Sequence, residues 1–115
     1  MTNMCRQYLI TALWASTGDD AQPLDDAYGV EDIAPDSITQ AEADCARFVE
    51  MAGGLLANQD DEMVGHDLWL TRNGHGAGFW DGDYPEPIGK ALTDLAHKMG
   101  ELNPYVADDG MVYLA

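Results

Sequence analysis

Met4, Cys5, Tyr8, Leu9, Ile10, Leu13 and Trp14 place apolar side chains nearly all round a helix over residues 3–15. Such a helix needs cover on most sides. A buried strand within Tyr8–Trp14 fits the same periodicity, but helix is the preferred reading. A second stripe of Ile38, Ala41, Cys45, Phe48, Val49, Ala52 and Leu56 predicts a helix running to about Asn58, with Asp44, Arg47 and Glu50 off the stripe. Ser37-Ile38-Thr39-Gln40 and Thr39-Gln40-Ala41-Glu42 both match a capping box at its start, with Pro35 just upstream, and Gly53-Gly54 weakens its last turns. A third stripe, Ile88, Ala91, Leu92, Leu95, Ala96 and Met99, follows Pro87, a residue suited to the first helical position, and stops at Gly100.

Two stretches carry a different pattern. Leu68-Trp69-Leu70 and Phe79-Trp80 flank Asn73-Gly74, the strongest short-range signal for a two-residue hairpin. In that register Arg72 faces His75, Leu70 faces Ala77 and Leu68 faces Phe79. Trp69 then lies across Gly78, and Thr71 faces Gly76. The second hairpin turns about Asp109-Gly110 within Tyr105–Leu114. Between the first two helices, residues 16–36 form a long connection with acidic doublets, held to the surface by Leu24, Tyr28, Val30 and Ile33. The expected fold is α+β: a small antiparallel sheet of two hairpins packed with about three helices, in one compact domain over residues 1–115 with an acidic surface loop at about 16–36.

Composition sharpens this picture. An apolar fraction of 46% belongs to a folded chain, so the acidity does not signal disorder. Lys plus Arg total 5 against 21 Asp plus Glu, a net charge of −16. Self-repulsion on that scale costs stability and sets nucleic acid, anionic membrane and acidic substrates against the chain as partners. Cys5 and Cys45, without a secretory apolar segment, point to buried, reduced thiols in a cytosol. No apolar run approaches a membrane span, which makes the chain a soluble one by expectation.

Candidate chemistry is sparse. His66, His75 and His97 lie in different elements without metal-ligand spacing, so surface or structural roles are expected and no metal. His75-Gly76-Ala77-Gly78 resembles a loop offering amides to an oxyanion, but no nucleophile elbow accompanies it, and Ser16 and Ser37 are the only serines. Asp81-Gly82-Asp83-Tyr84-Pro85-Glu86 fails the spacing of a calcium loop. The expectation is no enzyme and no cofactor.

Charge placement is more informative. Between Arg6 and Arg47 there is no Lys or Arg, while carboxylates fall at Asp19, Asp20, Asp25, Asp26, Glu31, Asp32, Asp36, Glu42 and Asp44. Duplex DNA carries one negative charge per roughly 1.7 Å of axis, so a protein that occupies a DNA-binding groove needs dense fixed carboxylates. Candidate contacts for a basic partner are Asp19, Asp20, Asp25, Asp26, Glu31, Asp32, Asp60 and Asp61. An equally weighted alternative is plain solvation of an acidic face, as in a salt-adapted accessory protein. A third reading makes Trp69, Arg72, His75 and Trp80 a hairpin platform for a small ligand or peptide.

The segment DLWLTRNGHGAGFWD, with YLITALWAST, DIAPDSI and YVADDG around it, resembles small uncharacterised proteins of tailed bacteriophages and mobile elements. Where some such proteins carry a basic residue after the Trp-Asp pair, this chain has Gly82-Asp83. The resemblance implies expression in the cytoplasm of a bacterial host and carries no assigned site. Small acidic proteins of this class often imitate nucleic acid. The expectation is therefore an inhibitor of a basic, nucleic-acid-handling defence protein of the anti-restriction or anti-CRISPR type, binding through carboxylates.

Overall fold

A computed structural model describes residues 1–17, 21–74, 78–80 and 84–115. Helix α1 (Asn3–Trp14) forms where the apolar pattern places it, started by the Thr2 hydroxyl, which accepts the Cys5 amide at 3.0 Å. Tyr8, Leu9 and Ala12 are fully buried. Cover stops short of one edge, leaving Ile10 and Trp14 exposed, Trp14 at 55%.

The connection that follows is not featureless. It makes two short 3-10 turns, Leu24–Asp26 and Val30–Asp32, with Leu24 and Ile33 buried as anchors and Tyr28 and Val30 packed against the core. Helix α2 (Pro35–Ala52) starts earlier than its capping boxes suggest, and neither box forms. Proline in the first turn has its φ preset and lacks one of the amides that would otherwise need a cap. The serine and threonine are thus free for other partners. Ser37 Oγ accepts the Leu114 amide at 3.1 Å, and the Thr39 hydroxyl donates to the Pro35 carbonyl at 3.1 Å. Gly53, at a φ of 52°, ends the helix ahead of Asn58, and the chain continues as a 3-10 turn over Gly53–Leu56.

The first strand of the first expected hairpin is helix instead. Leu68, Trp69, Leu70, Thr71 and Arg72 belong to helix α3 (Asp61–Arg72). Asp60 caps it, its carboxylate accepting the Glu62 and Met63 amides at 2.8 and 3.1 Å, and Asp61 and Glu62 place negative charge on the positive end of the helix. Asn73 is the C-cap: its side chain donates to the Trp69 carbonyl and accepts the Leu102 amide, while Gly74 takes a φ of 70°. Trp69 therefore packs on Tyr8, with ring centroids 5.2 Å apart, and not across Gly78. Gly78 lies against Thr71 and the Trp80 ring at a φ of 151°, where a side chain would collide with the Thr71 hydroxyl. The expected partners Gly76 and Ala77 lie outside the described residues.

Helix α4 (Ile88–Lys98) carries the expected stripe, burying Leu92 and Ala96, and Gly100 follows its end at a φ of 77°. Strands β1 (Pro104–Val106) and β2 (Val112–Leu114) form the second expected hairpin, in the register Pro104↔Leu114, Tyr105↔Tyr113 and Val106↔Val112. Ile33 adds a parallel bridge to Val112, and the Ala34 amide donates to the Val112 carbonyl at 2.8 Å. The described residues are thus α+β, with four helices and one hairpin in place of three helices and two hairpins. None of these helices is long and apolar enough to cross a membrane.

The core lies between α1, α2 and α3. Phe79, fully buried just beyond α3, stacks on Phe48 of α2 at 5.5 Å and meets the edge of Tyr84 at 5.2 Å. Helices α1 and α3 run side by side in the same direction, with Gly65 against Met4 and Tyr8, and with Trp69 and Asn73 beside Ala15 and Ser16. Their closest approach depends on Gly65, where a Cβ would overlap the Met4 carbonyl. Gly65→Ala is expected to cost about 2–3 kcal/mol through forced separation of the helices. Gly54→Ala, at a site facing open space, is expected to change stability by less than about 1 kcal/mol. Urea unfolding of the two variants checks the contrast, and equal stabilities would refute the close-approach role.

Candidate acidic interface

The structure sorts the candidate carboxylates by local role. Asp25 and Asp26 are exposed in the 3-10 turn that follows α1, a segment tied to the end of that helix by the Leu24 amide donating to the Ser16 carbonyl at 2.9 Å. Glu31 is exposed in the next turn. Asp32 is half-buried because its carboxylate accepts the Gly29 amide at 2.8 Å. Asp60 and Asp61 are exposed at the start of α3, the opposite end of the α1–α3 pair, so they do not cluster with Asp25 and Asp26. Asp19 and Asp20 lie outside the described residues, as do Asp81 and Asp83 of the segment that fails the calcium-loop spacing.

Asp32 and Asp60 hold backbone amides, a role their sequence neighbourhoods do not isolate from plain surface charge. Among the described residues every carboxylate except Asp44, Asp67 and the half-buried Asp32 is exposed. Opposing them on the surface are Arg6, Arg47, Lys90 and Lys98, with Lys90 paired to Asp94 at 3.1 Å. At the hairpin, Tyr113 donates to Asp109 at 2.6 Å, and this bond holds the Asp109 carboxyl below its ordinary range.

The alternative platform is taken apart by α3. Trp69 and Arg72 are core residues, 1% and 5% exposed, because both sit on the inward face of a helix and not on a ribbon. His75 lies outside the described residues. Trp80 is exposed, with its ring 6.5 Å from that of His97. The indole N–H of Trp69 is buried with no hydrogen-bond partner among the described residues, a cost of roughly 1–3 kcal/mol. Among the exposed apolar side chains that sequence periodicity placed inside are Val49 and Trp14, the latter with its ring 5.6 Å from that of His66, whose Nδ1 lies 3.0 Å from the Thr11 hydroxyl. For Trp14 the signal was available: a helix apolar all round has one face more than its neighbours cover. Among the described residues, no three His, Cys, Asp or Glu side chains gather to hold a metal.

Arg72 instead serves the interior. Its Nε donates to the Gly100 carbonyl at 2.8 Å and one terminal nitrogen to the Met99 carbonyl at 3.0 Å. The other terminal nitrogen reaches the Tyr8 hydroxyl at 2.8 Å and Asp44 at 3.1 Å. Burial pushes the Tyr8 hydroxyl far above the ordinary phenol range, so Tyr8 meets the guanidinium as a neutral acceptor. Gln40 completes the Asp44 carboxylate at 2.8 Å.

No family model matches the chain, nor does any curated protein or solved structure.

Arg72→Met is expected to lose about 3–5 kcal/mol, since it strands the Asp44 charge in the core. Asp44→Asn in that background should restore part of the loss. Denaturant unfolding of the single and double variants measures both, and a double variant less stable than Arg72→Met would contradict the pairing argument.

Proposed function

We propose that the protein is a non-enzymatic acidic binding protein of phage or mobile-element origin. It inhibits a basic, nucleic-acid-handling host defence protein, such as a restriction or CRISPR component, by presenting carboxylates where that protein takes phosphates. One observation carries the reading: the exposed charge is overwhelmingly of one sign on an ordered scaffold. Arg72, one of only 5 Lys and Arg residues, is buried against Asp44 and contributes nothing to the outer surface.

Carboxylates fixed on turns and helix starts suit a groove built for phosphates better than a mobile acidic tail does, because less side-chain and backbone freedom is lost on binding. The resulting field also steers encounter with a cationic groove and weakens as salt rises. Asp25, Asp26, Glu31 and Asp61 are the surface contacts. Asp32 and Asp60 contribute charge while capping amides. The exposed Trp14, at the end of α1 with its ring against His66, supplies an aromatic anchor of the kind that dominates interface energetics.

Retention of a host nucleic-acid enzyme on the tagged protein, released by moderate salt or competing DNA and identified by mass spectrometry, is the expected result of a bacterial lysate pull-down. A variant with Asp25, Asp26, Glu31 and Asp61 changed to Lys, and with Asp32 and Asp60 changed to Asn to keep their capping oxygens, should lose at least about tenfold in affinity with an unchanged or higher melting temperature. Undiminished binding by that variant, or a partner indifferent to salt and DNA, would sink the proposal.

A further inference from the structure

We propose that Cys5 and Cys45 form a peroxide-responsive dithiol that closes to a disulfide joining α1 to α2. The two residues are 40 positions apart in sequence, each at an apolar position of its own helix, and the fold brings both to the seam between α1 and α2. Both are free thiols. Each is nearly fully buried, yet both line one cavity of about 280 Å³, with Thr2, Glu42, Ala46 and Val49 among its other walls. Hydrogen peroxide is close to water in size, and a water occupies about 30 Å³ of liquid, so the oxidant fits in this cavity.

The pair is chemically unequal. The neighbouring Cys45 lowers the Cys5 thiol from its ordinary range, and Cys5 together with burial raises that of Cys45. Burial and the Glu42 carboxylate oppose ionisation of Cys5, and the N-terminal amine favours it. Cys5 lies in the first turn of α1, where the helix N-terminus favours a thiolate, while Cys45 lies well inside α2, so Cys5 is the attacking sulfur. Its lone pair takes one oxygen of hydrogen peroxide, the O–O bond breaks, and the departing hydroxide leaves as water with the Cys5 proton. The product is a Cys5 sulfenic acid. The Cys45 sulfur then attacks the Cys5 sulfur, the S–O bond breaks, and the second water carries away the Cys45 proton. Two thiols are oxidised to one disulfide, and one peroxide is reduced to two waters.

The arginines at positions 6 and 47 make the test direct. Trypsin cuts after each, with no Lys or Arg between them, and so places Cys5 and Cys45 on separate peptides. The reduced full chain is treated with hydrogen peroxide under native conditions, then quenched and mapped without reductant. The expected result is a monomer lighter by two hydrogen atoms, with both titratable thiols gone and the two peptides linked. In Cys45→Ser, Cys5 has no resolving partner, and its sulfenic acid should be captured by dimedone. Oxygen added at either sulfur of the unaltered chain, disulfides only between molecules, or two thiols that persist under peroxide would each overturn the proposal. Failure of Cys5 to label in Cys45→Ser would overturn the assignment of the attacking sulfur.

Discussion

Arg72 holds a permanent positive charge where almost no water reaches, and each element around it supplies part of what that charge requires. Tyr8 comes from α1, Asp44 from α2, and the Met99 and Gly100 carbonyls from the end of α4. The guanidinium itself belongs to the last residue of α3. Carbonyls at a helix end have no partner within the helix and attract cations, so one side chain terminates α4 and neutralises Asp44 at once. A lysine offers one compact charge and no planar fork, and cannot hold four such acceptors in their places. The positions of all four helices are thus tied to one buried group.

How much of this was legible in the sequence depends on how ambiguous each signal was. Helices α1, α2 and α4 follow apolar stripes, and β1 and β2 follow the turn at Asp109-Gly110, so these elements could be read directly. Helix α3 was lost because Asn73-Gly74 serves two geometries equally well. Both need a residue that tolerates positive φ, whether the next element is a returning strand or the chain leaving a helix. The deciding signal lay twelve residues upstream, where Asp60-Asp61-Glu62 gives the acidic start of a helix and Val64 and Leu68 follow at helical spacing. Gly65 then looks like a helix breaker in sequence and proves to be where two helices touch. The partners of Arg72 and the meeting of Cys5 with Cys45 depend on packing between distant segments, which local periodicity does not carry.

The acidic candidates illustrate a different limit. Composition gives the sign and density of charge but not the work each carboxylate does. Asp44 and Asp67 are inside: the first matches Arg72, and the second accepts the Tyr84 hydroxyl at 2.9 Å. Asp32 and Asp60 sit on the surface and still hold backbone in place. Of the other exposed carboxylates, Asp109 accepts from Tyr113 and Asp94 pairs with Lys90. The scaffold tolerates the repulsion among the surface charges through a core in which Phe48 stacks on Phe79 and Tyr8 packs on Trp69.

The seam between the start of α2 and strand β2 bears on the order in which the molecule assembles. The Leu114 amide meets Ser37 across 77 positions of chain, beside the Ile33–Val112 bridge. Closing so long a loop sacrifices chain entropy before the contact returns any energy, so contacts of this separation form late in folding. The first turn of α2 has no side-chain cap of its own and borrows its order from that late contact. The hairpin and the head of α2 therefore depend on the same few long-range contacts, and neither is ordered by local sequence alone.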